Sequence, residues 1–313
     1  MHRVGFLLMD GFQVMTLAAQ SVFEFANLVV GETYYRIENF SVDGGQVRSS
    51  LGMVVDTHTA SARATVDTWV LVGVGDPPTM PTPQPVIDFV RKATPRARRV
   101  AAICTGAFIL AEADLLDGRR ATTHWFYARD MQRLHPDIHV EEDRIYIVDG
   151  PFWTSAGMTA GLDLALAMVE KDLGADTARS VAHKLVMNQR RSGGQSQHSE
   201  MLDLAPKSDR IQNALDFARK NLHRSLTVED LAETVHLSPR QFSRVFTAET
   251  GQSPAKAIES LRLEAARLMI EQSRHPLEVV AKETGFRDRR HLREAFIRGF
   301  GLPPQAVRRE ARG

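Results

Sequence analysis

Cysteine is almost absent: Cys104 stands alone in 313 residues. A single thiol excludes an internal disulfide framework. Also missing is any apolar run near the ~18 residues that a membrane-spanning helix needs. The opening M-H-R-V-G-F-L-L-M-D holds an apolar stretch too short for a secretion signal and ends it at Asp10, so it reads as a first strand. These absences predict a soluble cytoplasmic protein. Net charge is also scarce, at +1, but it is unevenly divided. From residue 207 onward 20 Lys and Arg face 14 Asp and Glu, leaving 19 against 24 before it. A basic tail on an acidic body suits one module for phosphates and another for a different task. Charge alone fits plain solubility equally well.

The length is enough for two domains with sizeable cores. Short apolar runs at 3–9, 68–74 and 99–104 end near Gly or Asp and read as buried parallel strands. Further strands are predicted at 36–42, 121–123, 145–148 and 152–154. Helical patterns occupy 17–30, 85–93, 107–116, 126–134, 158–173 and 175–188. This alternation predicts an α/β domain, an open parallel, flavodoxin-like sheet with helices on both faces. The stretch R-R-S-G-G-Q-S-Q-H-S after residue 189 is polar and aperiodic. The predicted organisation is a domain over 1–189, a linker over 190–206 and an all-α domain over 207–313.

The tail carries one pattern twice. In L-T-V-E-D-L-A-E-T-V-H-L-S-P-R-Q-F-S-R-V-F-T-A-E-T-G, Thr227 caps a short helix packed through Val228, Leu231, Ala232 and Val235. His236 and Leu237 form a turn, and Ser238-Pro239 opens a second helix. There Phe242, Val245 and Phe246 face inward, while Arg240, Ser243 and Arg244 share the opposite face. The second copy is P-L-E-V-V-A-K-E-T-G-F-R-D-R-R-H-L-R-E-A-F-I-R-G-F-G. Leu277, Val279, Val280 and Ala281 pack its first helix, Gly285-Phe286 turns, and Asp288 caps the second helix. Leu292, Phe296 and Phe300 bury, leaving Arg289, Arg290 and Arg293 outward. A helix over 254–272 separates the copies. A rod of that length, about 28 Å at 1.5 Å per residue, can hold two such helices about one DNA turn apart.

The S-P-R-Q-F-S-R-V-F-x-x-x-x-G stretch and the G-F-x-D-x-x-H-L-x-x-A-F-x-x-x-F-G-x-x-P ending resemble the AraC/XylS transcription regulators across residues 208–309. The resemblance implies two helix-turn-helix units on a double-stranded promoter, with RNA polymerase as a further partner. It implies DNA contacts from Arg240, Ser243 and Arg244 in the first unit and from Arg289, Arg290 and Arg293 in the second. Glu294 departs from the Arg or Lys expected there. Its charge repels phosphate, leaving the second unit with less sequence readout or with a contact to a cytosine amino group.

In the front half, R-V-A-A-I-C-T-G-A-F reads as strand, sharp turn and helix, with Cys104 at the turn. The adjacent helix N-terminus is expected to lower the thiol pKa. His124, in A-T-T-H-W, ends the next predicted strand, so both side chains would reach the carboxyl edge where ligands bind. The segments A-A-I-C-T-G-A-F-I-L-A-E-A-D-L-L-D-G-R-R-A-T-T-H-W and W-T-S-A-G-M-T-A-G-L-D-L-A-L-A-M-V-E resemble the PfpI-like, class I glutamine amidotransferase-like superfamily. More narrowly they resemble the form fused to AraC-type tails in GlxA-type regulators. Enzymes of that superfamily pair the elbow Cys with a His and with a carboxylate soon after the first strand. Here that neighbourhood has Met15 and Thr16 and no acid before Glu24.

The domain is therefore expected not to be an enzyme, with Cys104 and His124 vestigial. Cys104 also fits a silent buried thiol or a redox sensor. His124 fits a structural histidine as well as a pocket residue. The predicted effector site comprises Cys104, Thr105, His124, Trp125, Gly75 and Asp76, although the loop over 73–80 fits an ordinary turn as well. No cofactor is expected, and no metal, because His124 has no second ligand at suitable spacing. The resemblance implies an amino acid or quaternary amine as effector, for which Trp125 would offer a cation–π wall, although Trp125 fits core packing as well. It also implies an activator working as a homodimer.

Overall fold

The computed structural model describes residues 1–187, 191, 193, 197, 208–273 and 275–310. It divides into two compact units, Met1–Gln197 and His198–Gly313. Each has its own core.

In the front unit the period of two along β1 (His2–Leu7) sends Val4 and Phe6 to one face and Leu7 to the other. The first face packs under α1 (Ala18–Val30), α5 (Met158–Leu173) and α6 (Ala175–Lys184). The second packs under α2 (Gln84–Ala93), α3 (Ala107–Glu112) and Met131 of α4 (Trp125–Leu134). The sheet between them adds β2 (Tyr35–Ser41), β3 (Gly45–Arg48), β4 (Val54–Thr59), β5 (Thr68–Val72) and β6 (Arg99–Ile103), then β9 (Tyr146–Asp149) and β10 (Phe152–Ser155). Among the described residues its order is β3-β4-β2-β1-β5-β6-β10-β9.

The strands from β4 to β10 pair in parallel, as the buried apolar runs predict, but both edges are antiparallel: β3 against β4 and β9 against β10. The β3–β4 hairpin escaped the sequence reading because its residues are mostly exposed and carry no apolar run. A second correction concerns 121–123. The strand here is β7 (Arg120–Ala121), which pairs with β8 (His139–Val140) in a separate two-stranded ladder. The neighbour of β6 in the main sheet is β10.

Strands β1, β5 and β6 start on a buried polar network. Arg99 and Asp172, 3% and 0% exposed at the side chain, form an ion pair. Tyr35 donates its hydroxyl proton to Asp172 at 2.9 Å, and Arg99 Nε donates to Thr68 Oγ1 at 2.8 Å. His2 Nε2 meets the same threonine oxygen at 2.7 Å.

The tail unit runs through α7 (Asp209–Lys220), α8 (Val228–Thr234), α9 (Pro239–Thr250), α10 (Pro254–Gln272), α11 (Leu277–Glu283), α12 (Arg289–Phe300) and α13 (Pro304–Glu310). The local signals act as expected. Thr227 and Ser238 form capping boxes with Asp230 and Gln241, Asp288 caps α12, and left-handed Gly251 and Gly301 end α9 and α12. Helix α10 is the shared spine: Ala257, Ile258 and Leu261 join the core around Phe242 and Phe246, while Leu263, Ala266 and Ile270 join that around Phe296.

The two units are not identical. Residues 235–238 separate α8 from α9, but 284–288 separate α11 from α12, so the second turn is one residue longer. Val279, expected to pack, is 36% exposed. Of the predicted linker over 190–206, Arg191, Gly193 and Gln197 fall among the described residues and the others lie outside them, as does Asn188 of the helix predicted to 188.

Candidate functional sites

Cys104 sits between β6 and α3 in a short 3-10 turn, with φ of 58°. A non-glycine residue in this left-handed region is strained, as at a nucleophile elbow. Gly106 makes the turn feasible, because a Cβ there would overlap the Leu71 carbonyl oxygen of β5. The thiol, however, departs from the sequence expectation. Cys104 is buried, and burial pushes its pKa up to about 11, against the opposing hydrogen bonds from Thr105. Desolvation of the thiolate outweighs the field of so short a helical turn. Alkylation of Cys104 by iodoacetamide is therefore expected to be slow in native protein at pH 7 and to accelerate towards pH 11. Rapid reaction at pH 7, as of an exposed low-pKa thiol, would contradict this.

The structure gathers most of the predicted effector residues round this elbow. Thr105 donates its hydroxyl proton to the Val74 carbonyl at 2.6 Å, tying the elbow to the loop carrying Gly75 and Asp76. That loop is also an ordinary turn, since Asp76 accepts from Thr79 Oγ1 at 2.7 Å. On the other side Thr123 Oγ1 donates to the Cys104 carbonyl at 3.0 Å. His124 follows it as the N-cap of α4, Nδ1 accepting from the Phe126 amide at 3.3 Å. Burial lowers the His124 pKa from 6.5, so the ring is neutral at pH 7. Among the described residues no hydrogen bond joins Cys104 to His124 or to a carboxylate.

Trp125 does not enter the core: it is 48% exposed, beside Phe126 at 62%. Rings of His124 and Trp125 lie 5.7 Å apart, those of His124 and Tyr127 6.3 Å. Sequence reasoning missed Tyr127. Its hydroxyl pKa is raised by burial and then by the charges of Asp76 and Cys104. The Asp76 charge that acts on it lies some fifty residues away in sequence, which leaves no local signal.

Gln197 was read as linker, yet it binds beside the elbow. Its Nε2 donates to the carbonyls of Thr123 and Glu142 at 2.9 and 2.8 Å, its amide donates to Asp143 Oδ1 at 2.8 Å, and its Oε1 accepts from the Trp125 amide at 2.9 Å. Arg191 is likewise anchored, its amide and Nε donating to the fully buried Asp163 at 2.9 and 2.8 Å. The Thr16 hydroxyl, in the stretch after β1, is buried and finds no hydrogen-bond partner among the described residues. An open cleft of about 430 Å³ lies elsewhere, lined by Asp10, Gly11, Gln46, Arg48, Ser49 and Val54 among others, and by none of the predicted effector residues.

In the tail, α9 exposes Arg240 and Arg244, with Ser243 half-buried between them. Among the described residues neither arginine has an ion-pair partner. Helix α12 exposes Arg289, Arg290 and Arg293, but Arg290 pairs with Glu294 at 2.9 Å and Arg289 with Glu278 at 3.5 Å. Arg290 holds the Glu294 carboxyl below its usual range. No helix is long and apolar enough to cross a membrane, and no cluster of three metal-ligating side chains occurs, among the described residues.

Comparison with known proteins bears on both units. Residues 2–171 match the DJ-1/PfpI family model, and residues 231–310 match a helix-turn-helix domain model. The HTH-type transcriptional regulator GlxA of Rhizobium meliloti (strain 1021) is 30% identical over 320 residues, covering 99% of this chain and 96% of that protein. Isonitrile hydratase of Pseudomonas putida is 42% identical over 113 residues, 36% of this chain and 48% of the enzyme. Among solved structures, an AraC family transcriptional regulator from Pseudomonas putida superposes with a TM-score of 0.53 at 22% identity, covering 59% of this chain and 100% of that one.

Proposed function

The chain belongs to the DJ-1/PfpI family and carries an AraC-type helix-turn-helix tail, which makes it a DNA-binding transcription regulator of the GlxA kind, and from that premise we propose how it works. Helices α9 and α12 enter successive major grooves of promoter DNA. Arg240, Ser243 and Arg244 contact it from α9, and Arg289, Arg290 and Arg293 from α12. The observation that carries this reading is Arg240 and Arg244: two exposed arginines with no ionic partner among the described residues, four residues apart on a helix whose N-terminus Ser238 fixes. Arg can pair bidentately with guanine O6 and N7. Arg240→Ala or Arg244→Ala is expected to weaken operator binding by roughly 1–3 kcal/mol each. The check is retardation of operator and random duplexes. Selective loss on the operator marks a base contact, equal loss on both a phosphate contact.

The front unit binds a small nitrogenous metabolite, an amino acid or quaternary amine, at the elbow formed by Cys104, Thr105, His124, Trp125, Gly75 and Asp76. Exposed Trp125 suits a cation. Binding would favour one of two arrangements of a homodimer and so alter promoter engagement and RNA polymerase recruitment, as an activator in the cytoplasm. A thermal-shift screen of betaines, carnitine, amino acids and polyamines tests it. A hit should alter DNA retardation, and no shift with any of them rejects this effector class.

The front unit binds without turning over. The protonated thiol and the lack of a described carboxylate or imidazole bonded to it support this reading. The likeness to isonitrile hydratase favours a second, in which Cys104 is a working nucleophile. A hydrolytic or hydration rate abolished by Cys104→Ala would establish that one.

A further inference from the structure

The two DNA-facing helices differ in charge at equivalent positions, most sharply where Arg244 stands against Glu294. The caps Ser238 and Asp288 and the closing glycines Gly251 and Gly301 align α9 with α12 at a constant offset. Arg240 then corresponds to Arg290, Ser243 to Arg293 and Arg244 to Glu294. At these positions the first helix presents two cations with no ion-pair partner among the described residues, the second two cations, Arg290 and Arg293, and a carboxylate already hydrogen-bonded to Arg290 at 2.9 Å. Neighbouring cations are also engaged: Arg289 with Glu278, Arg298 with Glu259 at 2.6 Å and Arg287 with Asp288 at 3.2 Å. Much of the pull of α12 on phosphate is thus cancelled before DNA arrives.

A carboxylate on this face meets repulsion from every phosphate along the groove. Only an amino group on a base edge offers it a donor, and cytosine N4 is the partner suited to Glu. Arg290 at its side suits the guanine of the same pair, whose O6 and N7 lie beside that amino group on one edge. Being joined beforehand, the two side chains lose less freedom on binding. We propose that Arg290 and Glu294 act together as the reader of one G·C base pair, so that the second unit adds sequence discrimination at that position. This rests on the reading that α12 enters a major groove.

Selection from a randomised duplex library, with full-length wild type, Glu294→Ala and Glu294→Gln, tests it. Wild type should enrich a cytosine at one position in the half-site of the second unit. Both variants should lose that preference, by about fivefold or more in relative affinity, while binding to unrelated duplexes rises as a negative charge leaves. If Glu294→Ala strengthens binding to all sequences by one factor and keeps the same base preferences, Glu294 merely repels phosphate and the proposal fails. Failure of wild type to enrich any sequence would sink the DNA-reading premise itself, a distinct result.

Discussion

Asp172→Asn is expected to cost the front unit about 3–5 kcal/mol of stability, because it leaves a buried guanidinium without its counter-charge. Arg99 has little access to water, and Tyr35 and Arg98 also converge on Asp172. All three tryptophans, Trp69, Trp125 and Trp153, lie in this unit, so urea unfolding followed by tryptophan fluorescence reports it alone. A loss below 1 kcal/mol would show that the pair is dispensable. The network also fixes an acid dependence. Burial pushes the Asp172 carboxyl up, but the hydrogen bond and charge of Arg99 outweigh it and hold the pKa below 3.8. A depressed carboxyl pKa gives stability that is present above the unfolded value and lost as pH falls through the folded one. Burial, then the charge of Arg99, lowers His2 from 6.5, so its contribution likewise fades below that pH. The front unit should weaken in two stages on acidification, below pH 6.5 and again below pH 3.8. Asp172→Asn should shrink the second, leaving the part contributed by Glu141, whose burial pushes its carboxyl up but which Arg120 and Arg144 hold low.

Gly285→Ala should disable the second helix-turn-helix unit. The residue has φ of 75°, and a Cβ would overlap the carbonyl oxygen of Leu222 and press on the Arg262 guanidinium. Left-handed strain and overpacking together amount to roughly 2–5 kcal/mol. Arg262 itself donates to the carbonyls of Leu222 and Arg224, so the clash falls where the loop before α8 meets the second turn. Unfolding followed by far-UV circular dichroism should show the tail melting early while the tryptophan transition stays in place. Retention of full operator affinity would contradict this account. The matching left-handed residue of the first turn is His236, with φ of 54°. It is exposed, so nothing comparable crowds its side chain.

That contrast marks the limit of what can be read from residues alone. The repeated helix-turn-helix, the spine over 254–272, the elbow at Cys104 and the alternation of strand and helix were all legible along the chain. These rest on signals contained within a few residues: caps, proline at a helix start, and periods of 2 and 3.6. Tertiary structure alone decided the rest. Burial overruled the helix dipole at Cys104, because desolvation depends on what surrounds the sulfur in space. Gln197 became part of the elbow's surroundings through hydrogen bonds to residues far from it along the chain. Arg99 reads as a charge at the start of a strand, and only the folded chain brings it Asp172. Local order is set by short-range sterics and hydrogen bonds, whereas pKa values and long-range polar pairs exist only once distant segments have packed.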